Sequence, residues 1–132
     1  LSQTNAYKNV NEVLKELKFR GDKIAIATNK RRDPTLKIIK HLNWVDYFSW
    51  VACVNPENKK IKNKSELVQS ILTNKIDFQN SFFVGDTLND AQCAKDNKLK
   101  FIKASYGYSE KKGWDNFQVY QDISNPINIL EI

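Results

Sequence analysis

Val10, Val13, Leu14 and Leu17 recur at the i, i+3, i+4, i+7 spacing of one helix face, which predicts an amphipathic helix from about Ala6 to Phe19. Gly21 then tolerates the left-handed backbone of a helix end. The period changes at Lys23–Thr28 (Lys-Ile-Ala-Ile-Ala-Thr), a short apolar run of the kind a buried parallel strand presents. Asp33-Pro34 predicts the opening of a second helix, Asp as cap and Pro in the first turn, with Leu36, Ile39 and Leu42 facing inward. Trp50–Val54 predicts a second strand. Ser65 is then the expected cap of a helix whose inward residues are Leu67, Val68, Ile71 and Leu72. Phe82-Phe83-Val84 predicts a third strand ending at Gly85-Asp86, followed by a helix from about Asn89 to Asn97 and a fourth strand near Leu99–Lys103. Ser124-Asn125-Pro126 predicts a turn before a short helical or extended end through Leu130.

Strands alternating with helices predict an α/β domain with right-handed crossovers and a mainly parallel sheet. Ligands in such sheets bind beyond the carboxyl ends of the strands. Two predicted strand ends carry polar clusters, Thr28-Asn29-Lys30 and Asp86-Thr87-Leu88-Asn89-Asp90. The 132 residues fit one domain, residues 1–132. Hydrophobic content of 41% and charged content of 27% are those of an ordinary globular chain. No run approaches the roughly 18 apolar residues that cross a bilayer. The first residues, Leu-Ser-Gln-Thr-Asn-Ala-Tyr, are polar and lack a signal-peptide pattern. A cytoplasmic protein without a membrane partner is the expectation.

Charge adds little. A net +6, from 21 Lys+Arg against 15 Asp+Glu, suits nucleic acid or a phosphorylated substrate. The lysines are scattered, however, with no aromatic interleaving, so a basic α/β nucleic-acid-binding domain is the weaker alternative. Cys53 and Cys93 sit outside any metal or redox motif and are expected as small buried apolar residues. A single histidine, His41, excludes a histidine-rich zinc site and is expected on a helix surface.

The chemistry concentrates in Phe82-Phe83-Val84-Gly85-Asp86-Thr87-Leu88-Asn89-Asp90, where an apolar strand delivers two carboxylates at a turn into a helix. Hard oxygen ligands of this kind suit magnesium, which takes one or two carboxylates together with water and substrate phosphate. Equally, Asp86 capping the helix and Asp90 favouring its positive end would explain the pair without any metal.

Gly85-Asp86-Thr87-Leu88-Asn89-Asp90 resembles the fourth motif of the haloacid dehalogenase superfamily, Gly-Asp-x-x-x-Asp after an apolar strand. Ile24–Lys30, ending Thr28-Asn29-Lys30, resembles the second motif, and Lys64 in Lys64-Ser65-Glu66-Leu67 resembles the lysine of the third. The Thr-Asn-Lys ending is similar to the phosphoglycolate phosphatase branch. The resemblance covers nearly the whole chain and implies a Rossmann-like parallel sheet with flanking helices, incomplete at its N-terminus and without a cap domain. It further implies a magnesium-dependent phosphatase of small phosphorylated metabolites. In that scheme Thr28 donates its hydroxyl, and Asn29 its backbone N–H, to a phosphate oxygen. Lys64 neutralises phosphate charge, with Lys62 in the same basic run as the competing counterpart. Asp86 binds Mg2+ directly and Asp90 supports it or orients Lys64. Tyr106-Gly107-Tyr108 is similar to a loop that follows the last core strand in this branch, and is expected to be structural.

The superfamily's first motif, Asp-x-Asp-Gly-Thr, supplies the nucleophile, and none of Asp22, Asp33, Asp46 or Asp77 reproduces it. The chain is therefore expected to be the rear part of a phosphatase, without turnover by itself, because covalent catalysis needs its nucleophile. The lack of methionine points the same way. Any cap is expected upstream, since Lys30 to Lys64 holds only one helix and one strand. A catalytically dead phosphate- and metal-binding module is the alternative. The first-motif strand lies, by resemblance, between the strands ending at Thr28 and Asp86. Its absence leaves two edges with unpaired backbone groups, so direct pairing of those strands, or a homodimer with strand exchange, is expected.

Overall fold

The computed structural model describes residues 3–55, 57–75, 80–107 and 110–132, with side chains described from residue 9 and, in the third helix, up to residue 72. Helices and strands alternate as α1 (Gln3–Phe19), β1 (Ala25–Thr28), α2 (Arg32–His41), β2 (Trp50–Cys53), α3 (Lys64–Lys75), β3 (Phe82–Gly85), α4 (Leu88–Asp96), β4 (Lys100–Ala104) and β5 (Gln121–Ile123). Short 3-10 turns at Val45–Tyr47, Trp114–Asn116 and Pro126–Glu131 complete the described elements. The chain forms two compact units, one of Leu14–Lys75 and the other of Leu1–Val13 with Ile76–Ile132. Every ladder is parallel, as the expected α/β class requires.

In the unit Leu14–Lys75, β1 pairs with β2 in the register Ala25–Trp50 to Thr28–Cys53, and α3 packs on both strands. Leu67 and Val68, adjacent on the face of α3, are buried, with Ile71 and Leu72 half-buried beside them. Gly21 holds φ at +87° just past α1, as expected of a glycine terminating a helix.

Two expected caps are corrected. Asp33 does not cap α2: Arg31 is the capping position, in extended geometry and without a side-chain bond, and Asp33 falls in the first turn. The Thr35 hydroxyl donates to the Arg31 carbonyl at 2.8 Å, and Thr35 with Ile39 forms the buried stripe. Leu36, one residue round the helix from Thr35, is consequently exposed rather than inward. Ser65 does not cap α3 either. Asn63 does, its Oδ1 accepting the Glu66 N–H at 2.9 Å, so that Lys64 is the first helical residue.

The second unit orders its strands β3-β4-β5, with Phe82 opposite Lys100 and Ile102 opposite Gln121. Its core joins Ala91 and Ala94 of α4 to Phe101 of β4, packed by Phe83, Leu99, Trp114, Phe117 and Val119. Phe101 stacks on Trp114 at 6.1 Å between centroids and on Phe83 at 6.5 Å. Cys93 is fully buried here, whereas Cys53 in the other unit is only half-buried; both are free thiols. The strand Gln121–Ile123 was not expected. Asn125 opens the following turn with its side chain on the Ile127 N–H, and it also accepts from Asn9 of α1 at 3.3 Å.

The expected direct pairing of the strands ending at Thr28 and Asp86 does not form among the described residues: β1 pairs with β2, and β3 pairs with β4. Among the described residues, no helix is long and apolar enough to cross a membrane.

Candidate functional site

Each unit carries one polar cluster at the carboxyl end of its sheet. In the second unit, the register Phe82–Lys100 to Gly85–Lys103 ends β3 where the chain must turn into α4. Thr87 caps that helix in extended geometry, accepting the Asp90 N–H on its Oγ1 at 3.1 Å. Asp90 completes the capping box, its Oδ2 accepting the Thr87 N–H at 3.3 Å and the Asp86 N–H at 3.1 Å. Asp90 is 5% exposed. Buried carboxylates persist only when hydrogen-bonded, and two backbone donors near the positive end of α4 serve that purpose.

Gly85 belongs to the same construction. A Cβ at Gly85 would stand 2.6 Å from Asp90 Cγ and Oδ2 and closer still to its Cβ, so the residue preceding Asp86 must be bare for Asp90 to fold back. Asp90 thus fixes the backbone from which the half-buried Asp86 carboxylate projects. Of the two sequence explanations for the pair, capping holds for Asp90, but the cap residue proper is Thr87 and not Asp86. The Asp86 side chain is therefore not the helix cap.

The segment after β4 closes on this turn. Gly107 donates its N–H to the Ala104 carbonyl at 3.1 Å, and its Cα lies against the Asp86 carboxylate. Beyond it, Glu110 Oε2 accepts the Leu88 N–H at 3.0 Å, and the Glu110 carbonyl accepts the Trp114 indole N–H at 2.6 Å. Burial, and after it the negative charge of Asp86, hold the Tyr106 phenol above its ordinary pKa, so it is protonated at neutral pH. Tyr108, part of the same sequence motif, lies outside the described residues.

In the first unit, Thr28 ends β1, half-buried, and its Oγ1 accepts the Lys30 N–H at 3.1 Å. A hydroxyl accepting on its oxygen still carries a proton to donate. Asn29 is exposed. Lys64 is the first residue of α3, the helix that packs on β1, and is half-buried, while Lys62 is exposed in the preceding loop. Arg32 donates to the Val51 carbonyl at 3.1 Å, and His41 is exposed at the end of α2.

The Asp86 carboxylate, with Asp90 holding its backbone, suits a hard divalent cation. Among the described residues no group of three or more His, Cys, Asp and Glu could hold a metal. One or two carboxylates suffice for magnesium, which fills its remaining positions with water and phosphate, but not for a fully protein-ligated zinc or calcium site. Glu110 was not singled out from sequence, and Thr87 and Gly107, though within quoted motifs, were given no role at this turn. Only the Thr87-x-x-Asp90 spacing, a capping-box signature, was legible there.

Comparison with known proteins adds the family. The model of the family described as haloacid dehalogenase-like hydrolase matches residues 2–104. A phosphoglycolate phosphatase of Nitrosospira multiformis is 33% identical over 107 residues, 81% of this chain and 47% of that protein. A second, of Psychrobacter arcticus, is 32% identical over 108 residues, 82% of this chain and 47% of its own length. A solved structure of a haloacid dehalogenase-superfamily hydrolase from Ehrlichia chaffeensis superposes with a TM-score of 0.71 at 28% identity, over 92% of this chain and 54% of that one. The chain spans about half the length of the curated relatives it matches.

Proposed function

The chain belongs to the haloacid dehalogenase-like hydrolase family, and from that premise we propose that it forms the phosphate- and cation-binding part of a phosphomonoester hydrolase acting on small phosphorylated metabolites of the phosphoglycolate kind. The observation that carries this reading is the turn Gly85–Asp90, in which Asp90 is consumed by backbone hydrogen bonds while Asp86 projects from a fixed main chain. A carboxylate held that way costs little further ordering when it takes up an ion.

Asp86 would hold magnesium, with Asp90 as its support through the Asp86 backbone. The ion, when bound, neutralises phosphate charge and polarises the ester. Thr28 donates its hydroxyl and Asn29 its backbone N–H to phosphate oxygens, and Lys64 compensates their charge from the start of α3. Such positioned charge supplies most of the catalysis in phosphoryl transfer. Lys64 is preferred over Lys62 because a half-buried ammonium at a helix start is more constrained than an exposed one in a loop. The nucleophilic carboxylate that the resemblance implies, from Asp-x-Asp-Gly-Thr, is not among these 132 residues. A homodimer is the arrangement expected for the exposed strand edges, tested by mass in solution. We expect the protein to work in the cytoplasm.

The test uses the polypeptide as the cell makes it, with Mg2+ and a panel of phosphorylated two- and three-carbon acids and sugar phosphates. Phosphate release, reduced about 100-fold or more in Asp86→Asn and Thr28→Val, supports the reading. Phosphate binding without release from any ester would make the protein a binding module instead.

A further inference from the structure

We propose that Gly107 is a positioning residue for the Asp86 carboxylate: its missing side chain is the space in which that carboxylate is held for a divalent cation. The inference rests on the assignment of Asp86 as cation ligand. A glycine is required where the backbone is left-handed, where it is packed tightly in a core, or where another group approaches its Cα. Gly107 is not among the residues with positive φ, and it is exposed. The third reason remains. An added Cβ would stand 3.0 Å from both Asp86 Cβ and Cγ and closer still to Oδ2, and these three atoms of one side chain are its nearest neighbours.

The position of Gly107 is fixed from both sides. Upstream, its N–H donates at 3.1 Å to the carbonyl of Ala104, the last residue of the β4–β5 register. Downstream, Glu110 reaches the Leu88 N–H at 3.0 Å, and Gly113 (φ +98°) lies close enough to Leu88 that an added Cβ would stand 2.8 Å from its Cδ1. Glu110 and Gly113 are therefore held against the first residue of α4, two positions from Asp86. Glu110 holds that residue, and Gly107 sets the rotamer of Asp86. A methyl group at 107 meets Oδ2 and Cγ of Asp86, which turn away together, and its Cβ at 3.0 Å, which must give by a few tenths of an ångström, so the fold accommodates it mainly by turning the carboxylate away. Cation affinity falls more than stability does.

Magnesium affinity is measured by calorimetry on the full polypeptide for the natural protein and for Gly107→Ala, Glu110→Ala and Asp86→Asn, with thermal midpoints taken in chelator. Gly107→Ala is expected to weaken magnesium about 10- to 100-fold, as loss of a ligand's positioning partner does. Its midpoint in chelator should move by less than about 3 °C. Glu110→Ala is expected to weaken magnesium in the same direction without adding bulk, and it decides the matter alone if Gly107→Ala does not fold. Unchanged affinity in these variants, with binding lost in Asp86→Asn, overturns the role of Gly107 and leaves the cation site standing. A natural protein that binds no magnesium, indistinguishable from Asp86→Asn, overturns the site itself and this inference with it.

Discussion

Asp86 donates its backbone N–H to the carboxylate of Asp90 at 3.1 Å, so the second acidic residue of the turn holds the main chain of the first. The same oxygen takes the Thr87 N–H. Removing that carboxylate strands two backbone donors and opens the capping box together. Asp90→Ala is expected to cost about 2–4 kcal/mol, and Asp90→Asn, which keeps one acceptor, about half as much. Thr87→Ala, losing only the cap, is expected to cost about 1 kcal/mol. Urea unfolding in chelator measures all three, and equal midpoints for Asp90→Ala and the natural protein would contradict the hydrogen-bond assignment.

Gly85 and Gly107 each face one of the two carboxylates, but with opposite consequences. Alanine at 85 meets the Cβ and Cγ of a buried, fully bonded Asp90, and neither partner can turn away. Gly85→Ala is expected to destabilise by about 2–3 kcal/mol. Chelator-state midpoints that fall for Gly85→Ala and stay for Gly107→Ala separate the two positions.

Lys64 and Lys62 lie two positions apart, Lys64 half-buried at the head of α3 and Lys62 exposed before it. Lys64→Met is expected to weaken inorganic phosphate about 10- to 100-fold, the worth of a hydrogen bond to a charged group. Lys62→Met should change it by about twofold or less, as exposed charges do. Equilibrium dialysis with labelled phosphate reads both, and the reverse order would reassign the third-motif lysine.

Tyr106 carries a raised pKa, first through burial and then through Asp86, against an ordinary value of 10.0. The folded state therefore retains the phenolic proton to higher pH than the unfolded chain does. Its contribution is full below pH 10 and is lost as pH climbs through the higher folded value. Tyr106→Phe is expected to flatten the alkaline fall in stability above pH 10 while leaving neutral stability little changed. Parallel urea midpoints of the two proteins across that range would refute the linkage.

Phe101 is 2% exposed between the rings of Phe83 and Trp114. Phe101→Ala is expected to cost about 3–5 kcal/mol, the range for a buried aromatic. Near-ultraviolet circular dichroism should lose the Trp114 signal in the same variant if the stack orders the indole.

The strands β1 to β4 and the helices between them were legible because apolar runs and helical spacings report burial directly, as at Ile24–Thr28 and Leu67–Leu72. The caps were less so. Asp33 and Ser65 have the right chemistry, but a cap is defined by backbone angles at one residue, and the chain placed Arg31 and Asn63 there instead. Strand β5 was missed because Gln121 and Asp122 are exposed and only Ile123 faces the core, so three residues show no period. The candidate site was legible in its carboxylates, whose order and spacing resemble a known motif. Its support was not: Glu110 lies far along the chain from Leu88, and Gly107 contributes by lacking atoms, which no pattern of residue chemistry announces.

Asp90 serves the start of α4 whether or not anything ever binds at Asp86. A descendant that abandoned the chemistry would still be selected to keep it, because losing it would unravel a helix end. Among relatives, an aspartate at this position reports an intact fold and is silent about activity; drift at Asp86 and Gly107, which no helix depends on, is where a lapse of function would first leave its mark.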